Sequence, residues 1–380
     1  METDIHAVIP AAGLSSRMDR FKPLAPLGSA TVLEQVASTF YAAGIHEIVV
    51  VSGHRMEELS SAAKRAGTRM VHNPEYRKGM FSSILAGIEA IPSESSGFFL
   101  LPVDIPLVRS ATIEKLKHIF SEAETDIVHP VFRGMRGHPP LLSSALIPLI
   151  RGSNGSGGLR SVLEKFEREN PERVLEVAVA DAGILQDMDT DDQYARVAKR
   201  WPGLSLPTRE ECEAVMDLAG TPDRTRLHGR AVAQVAVAVG RAVNNQRING
   251  PLLDLEQIER AGLVHDLAKG SPAHEREGGR ILSEAGFTDI SEIVASHRDI
   301  DPKPGSPVTE TEVVFLADKV VAGTDLVPLV ARYEAVLQRH GHDPEAREAI
   351  LGRRERALRV KTRVEHVMAR SLPDVAAEAL

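Results

Sequence analysis

The chain is poor in cysteine, with one, in tryptophan, with one, and in aromatic residues, at 4% of 380. A lone Cys212 excludes an intrachain disulfide and any multi-cysteine metal site, and it fits a reducing compartment. Long apolar runs are missing: none approaches the roughly 20 residues that span a bilayer. Residues 1–10 lack a cationic start leading into an apolar core, so no signal peptide is expected. An excess of positive charge is missing as well. The formal net charge is −8, with acids and bases interspersed. That argues against nucleic acid and against a membrane surface as partners, and the expectation is a cytoplasmic protein. Histidine is in mild excess, with 14 residues. The length suits two domains.

The first half alternates strand-like and helix-like segments. Strands are expected at His6–Pro10, Glu47–Ser52, Arg69–His72, Gly97–Val103 and Asp126–His129. Helices are expected at Val32–Ala43, Met56–Ala66, Ser82–Ala90 and Ala111–Glu122, with Ser110 capping the last and Glu114 just inside it. The alternation implies a mostly parallel sheet with helices on both faces, an α/β Rossmann-like domain over 1–199. Two prolines and a glycine make 200–208 a linker. From 209 to 380 strand signals vanish and an all-α domain is expected. Its helices are placed at Glu210–Ala219, Leu227–Asn244, Leu255–Ala268, Glu275–Ala285, Ile290–His297, Glu310–Gly323 and Val327–His340. The run 152–158 reads as a short glycine-rich loop inside the first domain.

The first strand runs into Pro10-Ala11-Ala12-Gly13-Leu14-Ser15-Ser16-Arg17-Met18, with Lys22-Pro23-Leu24 behind it. Small residues let backbone N–H groups approach a polyphosphate, and Arg17 and Lys22 bring charge to it. Asp104 follows an apolar strand and points into the crevice beyond the strand ends. Mg²⁺ needs one or two such carboxylates to bridge phosphate oxygens, and Asp187 or Asp189 supplies the second. Singly, each residue has an ordinary role as a turn, cap or surface group; together and in order they describe a nucleoside triphosphate site.

This block resembles the nucleotidyltransferases of the molybdenum-cofactor type. It matches their opening at Ala11, Ala12, Gly13, Ser15, Arg17, Met18 and Lys22 and departs at Asp19, where glycine is usual. Further matches follow over 4–198. Asn73-Pro74 with Gly79-Met80-Phe81-Ser82-Ser83 resembles the base- and ribose-contacting segment, and Leu101–Pro106 resembles the strand-end metal aspartate, Asp104. Gly137-His138-Pro139 and Gly157–Arg160 resemble acceptor-side loops. Asp187-Met188-Asp189-Thr190 resembles the late acidic element, with Asp191 where proline is usual. The resemblance implies nucleotide contacts from Ala11, Ala12, Gly13, Arg17, Lys22, Ser82 and Asp104, and Mg²⁺ on Asp104 with Asp189. The double alanine favours CTP, and a molybdopterin-like phosphate is the implied acceptor. A molybdoenzyme receiving the cofactor is then the implied partner. Phe21–Leu24 also resembles sugar nucleotidyltransferases, so a sugar or polyol phosphate is the alternative acceptor. A cofactor-chaperone role without catalysis is a further alternative, which intact Lys22 and Asp104 disfavour.

The second half carries His228, His265-Asp266, His274, His297 and Asp318. His228 shares a stripe with Val232, Val235 and Val239, His297 follows Ile290, Ile293 and Val294, and Asp318 is at helical spacing from Val314 and Val321. These polar groups point toward a core, where an unpaired carboxylate is costly unless a cation resolves it. Imidazoles and carboxylates suit Fe, Mn, Zn or Mg. The set resembles the HD-domain phosphohydrolases over about 209–340, most specifically in Leu263–Lys269; His274 and His297 resemble the two-metal version. Lys269 is one turn from His265 and is placed to neutralise a substrate phosphate. The expected whole is Mg-dependent nucleotidyl transfer coupled to one- or two-metal phosphohydrolysis, the alternative being a regulatory, ligand-sensing HD domain. Beyond residue 341 the chain is charged and helix-prone, and Arg353–Arg356 reads as a solvated face without function.

Overall fold

The structure, a computed structural model, describes residues 4–248, 250–303 and 305–380. Its contacts divide into two compact units, one ending at Leu204 and one starting at Ser205.

The first unit is built on eight strands: β1 (Ile5–Pro10), β2 (Ile48–Ser52), β3 (Arg69–His72), β4 (Gly97–Leu100), β5 (Ile127–Phe132), β6 (Met135–Arg136), β7 (Leu141–Ser143) and β8 (Val174–Ala178). Their order is β8-β5-β7-β4-β1-β2-β3, with β6 pairing β5. β1 lies parallel between β2 and β4, with Val8 opposite both Val49 and Leu100. β7 runs antiparallel to β4 and β5, and the sheet is otherwise mostly parallel. β1 and β2 are buried along their whole length, as mainly apolar strands covered on both faces must be.

Seven helices join them: α1 (Val32–Ala42), α2 (Met56–Arg65), α3 (Met80–Ile88), α4 (Ser110–Glu122), α5 (Ile147–Arg151), α6 (Gly158–Glu169) and α7 (Asp191–Arg200). Successive residues of a strand face opposite ways. Phe98 thus joins Val8, Ile84, Ile88, Ile150 and Leu163 in one core, while Phe99 meets Phe40 of α1 with ring centroids 5.8 Å apart. Thr31 and Thr190 start α1 and α7 with reciprocal caps to Glu34 and Gln193.

Several expectations change in detail. β4 stops at Leu100 rather than 103, which leaves Asp104 in the loop beyond the strand end. Ser110 is the first residue of α4 and not its cap. That helix start is satisfied by Asp181 instead, which accepts from the Arg109 N–H at 2.9 Å and the Thr112 hydroxyl at 2.7 Å. The stretch 200–208 is divided between the units: Trp201–Gly203 is a short helical turn, and Thr208 caps the first helix of the second unit. Trp201 lies so close to Gly28 that a Cβ there would sit 2.7 Å from the indole nitrogen.

The second unit is helical: α8 (Arg209–Leu218), α9 (Asp223–Gln246), α10 (Leu255–Val264), α11 (His274–Glu284), α12 (Thr288–Ser296), α13 (Glu310–Val320), α14 (Leu329–His340), α15 (Pro344–Met368) and α16 (Leu372–Ala377). α9 is the central element, with Val232, Val235, Val239 and Val243 fully buried. Strand pairing does not vanish completely, because Val321–Ala322 pairs with Asp325–Leu326. That small hairpin ends α13 at Val320 instead of Gly323. α10 ends four residues earlier than expected, where Leu267 and Lys269 donate three residues back to Val264 and Asp266. The tail is not a free solvated helix. Ala357, Val360, Val364 and Met368 are buried, and Arg356 pairs with Asp299, Nε to Oδ1 at 2.8 Å.

Candidate functional sites

In the first unit the chain leaves β1 at Pro10. The Ala11 N–H is taken by the Val51 carbonyl at 2.9 Å, so Ala11 belongs to the strand end and offers no free donor, contrary to expectation. Among the described residues no hydrogen bond takes the N–H of Ala12, Gly13 or Leu14. Open space surrounds Gly13. Ser15 closes the loop by accepting the Lys22 N–H on its hydroxyl at 3.1 Å. This aims the Lys22 ammonium at two carboxylates, Asp104 at 3.1 Å and Asp189 at 2.5 Å. Arg17 meets the other oxygen of Asp189 at 2.8 Å. The Met188 N–H donates to the Asp104 carbonyl at 2.9 Å and fixes the late acidic segment against the strand-end loop. Asp187 is turned away, bonded to Gln193 at 2.7 Å. Hydrogen bonding by Lys22 holds the Asp189 carboxyl below the usual range, with Arg17 adding to it. Two carboxylates that converge on one ammonium have the spacing to converge on one Mg²⁺.

Ser82 lies in the first turn of α3, which starts at Met80: its hydroxyl donates to Gly79 O at 2.8 Å and accepts from Asn73 Nδ2 at 2.9 Å. Beside the carboxylates, past Pro102, opens a cavity of about 700 Å³. Gly137, His138, Gly158 and Arg160 line it, together with His129 and Arg136. Burial pushes the His138 and His129 imidazoles below the ordinary value, so both are neutral near pH 7. Arg136, His129 and their partner Glu167 had no motif to mark them; only the fold brings β5, β6 and α6 together.

In the second unit five elements converge. Close helix contact places the first histidines: a Cβ on Gly229 would lie 2.4 Å from Leu263 O, and one on Gly262 would lie 2.8 Å from Ala233 Cα. α9 and α10 therefore cross at two glycines, beside His228 and His265. His228, His265 and His297 each use Nδ1 on a backbone carbonyl, of Gly323 at 2.9 Å, Gly262 at 2.9 Å and Val294 at 2.6 Å. Those bonds fix the tautomer and leave Nε2 directed inward. Asp266 stands at the centre, with His265 Nε2 at 3.5 Å, His228 at 3.9 Å, His274 at 3.3 Å and His297 at 3.6 Å. Asp318 lies 3.2 Å from His228 and 3.6 Å from His265. Two ligand groups result, His228–His265–Asp266 and Asp266–His274–His297, sharing Asp266.

The donor set passes a further test of fit. His265 Nε2 is fully buried and has no hydrogen-bond partner, although a buried polar atom normally finds one. A cation there would supply it. Burial disfavours the charged His265 ring, yet Asp266 and Asp318 overcome this and raise it to about 9. The burial of Asp266 is outweighed by its histidines, which hold its carboxyl far below the usual range. Lys269 pairs with Asp266. Two further cations escaped the sequence reading. Lys319 bonds Asp318 at 2.5 Å and His297 O at 3.1 Å, and Arg332 donates to Asp318 O at 2.6 Å. The charged pair Asp318-Lys319 inside the apolar run of α13 was the available signal for the first.

Comparison with known proteins finds a family match in each unit. Residues 7–172 match the MobA-like NTP transferase domain, and 226–323 match the HD domain. The chain is 30% identical over 202 residues to a molybdenum cofactor cytidylyltransferase of Escherichia coli, covering 52% of this chain and 97% of that protein. It is also 30% identical over 202 residues to a nicotine blue oxidoreductase of Paenarthrobacter nicotinovorans, covering 51% and 96%. A molybdenum cofactor guanylyltransferase of Xanthomonas euvesicatoria is 34% identical over 199 residues, covering 51% and 95%. No helix among the described residues is long and apolar enough to cross a membrane.

Proposed function

The chain belongs to the MobA-like NTP transferase family and carries an HD domain behind that unit, and on this premise we propose that it transfers CMP from CTP to a molybdopterin-like phosphate, releasing pyrophosphate, and hydrolyses phosphoesters in its second unit. The observation that carries the first activity is the single ammonium of Lys22 shared by Asp104 and Asp189, beside an empty-walled loop and a cavity of about 700 Å³. In this reading the N–H groups of Ala12, Gly13 and Leu14 face the phosphates. Lys22 turns from the carboxylates to the triphosphate, and with Arg17 it neutralises charge as pyrophosphate leaves. Asp104 and Asp189 would hold Mg²⁺, which would supply neutralisation of phosphate charge there. The acceptor rests in the cavity between His138 and Arg160, and its phosphate oxygen is the nucleophile. The unit mainly positions and neutralises.

In the second unit His228, His265, Asp266 and Asp318 would hold one divalent metal, and Asp266, His274 and His297 would hold a second. Metals there would supply Lewis-acid activation of water and of the phosphoryl group. Lys269 steadies the phosphate. The chain's own contribution is orientation: carbonyl-tied imidazoles and a buried carboxylate pair braced by Lys319 and Arg332.

Pyrophosphate release tests the first activity, with Mg²⁺, each of the four ribonucleoside triphosphates, and molybdopterin present or omitted. Release that needs CTP and molybdopterin together, and that is lost in Asp104→Ala, is the expected result. Release with GTP alone would change the base, and no release with any triphosphate would overturn transfer.

A further inference from the structure

Beside the second unit's metal-binding group lies a cleft of about 610 Å³ that His228 and Lys269 reach from one side. Its polar lining is one-sided: Arg224, Lys269, Arg332 and Arg339 face it, and no Asp or Glu does among the described residues. Arg332 is committed to Asp318 and Val321 carbonyls, and Lys269 to Asp266. Arg224 and Arg339 have neither ion pair nor hydrogen bond among the described residues, and both are exposed. Apart from Thr225, the rest of the wall is mainly apolar, with Val321, Val327, Ala335 and Val336 in it.

Helix geometry gives the cleft a direction. Arg224 is one turn from His228 on α9. Arg339 is seven residues beyond Arg332 on α14, about 10 Å along the axis. A phosphate monoester at the metals needs only those metals and Lys269. Two unpartnered guanidiniums farther out call for a second anionic group, and the aliphatic wall calls for an organic body.

We propose that this cleft binds an organic diphosphate and that the second unit cleaves its terminal phosphoryl group; this rests on the phosphohydrolase reading above. The terminal phosphoryl group lies at the metal-binding residues and Lys269, the inner one at Arg224, and the organic part against Val327 and Val336 with Arg339 beyond it. A water oxygen forms a bond to the terminal phosphorus while the bond from that phosphorus to the bridging oxygen breaks. The products are an organic monophosphate and inorganic phosphate, and one proton passes to solvent.

The test uses the full chain with Mn²⁺ and measures phosphate released from ADP, AMP, pyrophosphate and p-nitrophenyl phosphate. ADP is expected to exceed AMP and pyrophosphate at least tenfold in kcat/KM, and Arg224→Gln is expected to pull the ADP-to-AMP ratio toward one. A readout without turnover accompanies it. Calorimetric titration of the EDTA-treated chain with α,β-methylene-ADP should show a binding event that Arg224→Gln weakens at least fivefold. Arg224 is exposed, and an unchanged melting temperature in the variant excludes misfolding as the cause. Equal turnover of ADP and AMP, or pyrophosphate as the best substrate, overturns the diphosphate assignment and leaves the phosphohydrolase intact. Turnover of none of the four by Mn²⁺-loaded chain overturns both.

Discussion

Asp318 is surrounded by four positive or potentially positive groups: His228, His265, Lys319 and Arg332. Burial opposes its charge, but Lys319 and the histidines hold the carboxyl well below the usual range. Removing one member of a buried pair strands the other, at a cost of about 3–5 kcal/mol. Asp318→Asn should therefore destabilise the EDTA-treated chain by about that amount in urea unfolding, and it should lower the metal content of the untreated chain. Adding Lys319→Met should recover part of the stability and none of the metal. His138 shows the opposite situation, since burial, with His129 beside it, depresses its imidazole. Below about pH 6.5, the ordinary histidine value, the unfolded chain takes up a proton that the folded chain refuses. Stability is thus lost as pH falls from there through the lowered folded value. Melting temperature between pH 7.5 and 5 should fall less steeply in His138→Gln than in the parent; equal slopes would remove His138 from the account. The two residues were legible to different degrees. His265-Asp266 stands out because the pair is adjacent and ionisable directly after the apolar last turn of α10, residues 261–264. Arg332 does not, because an arginine on an amphipathic helix looks the same whether it faces water or a buried carboxylate.

At the scale of elements, the strands that carry phosphate chemistry were readable because a strand buried on both faces must be mainly apolar, as β1 is over residues 7–9 and β2 over residues 48–51. The strands β6, β7 and β8 were not. β6 and β7 are two and three residues long, too short for a period to declare itself, and β7 has its antiparallel place through pairing to β4 and β5; β8 is five residues long but only Val177 in it is buried, so it carries no continuous apolar run. The cavity lined by β5, β6 and α6 was hidden for the same reason. Helix ends set by tertiary contact were also illegible: Asp181 replaces Ser110 at the start of α4 from 70 residues away in sequence. The α9–α10 crossing gives the sharpest case. Its glycines look ordinary in the sequence, yet a methyl group on Gly229 would sit 2.4 Å from a carbonyl oxygen. Gly229→Ala should push the helices apart, cost about 1–3 kcal/mol as overpacking does, and reduce metal content through His228 and His265. Exposed Gly220→Ala is not an adequate control because its φ is positive; Ala331→Ser, on the surface of α14, is a better one. If Gly229→Ala binds metal at full stoichiometry, the close approach does not position the site.

For the whole molecule, the division at Leu204 and Ser205 gives each unit its own core and its own cluster of carboxylates. The clusters differ in burial, and this makes their response to chelation different. In the first, Lys22 spans Asp104 and Asp189, so without a metal the carboxylates keep a satisfied ion pair that is partly open to water. In the second, without a metal the buried His265 Nε2 has no partner and four histidines surround Asp266. A ligand that binds only the folded state stabilises it by RT ln(1 + [L]/Kd), about 4 kcal/mol at a thousandfold excess over Kd. Calorimetric melting of the intact chain should therefore resolve two transitions. EDTA should lower one of them strongly and leave the other nearly unmoved. The EDTA-sensitive transition should be the one that His265→Ala shifts, and in that variant EDTA should have little left to remove. A chelation shift carried by the transition that Asp104→Ala moves would reverse the assignment, making the first unit the one whose fold depends on its metal.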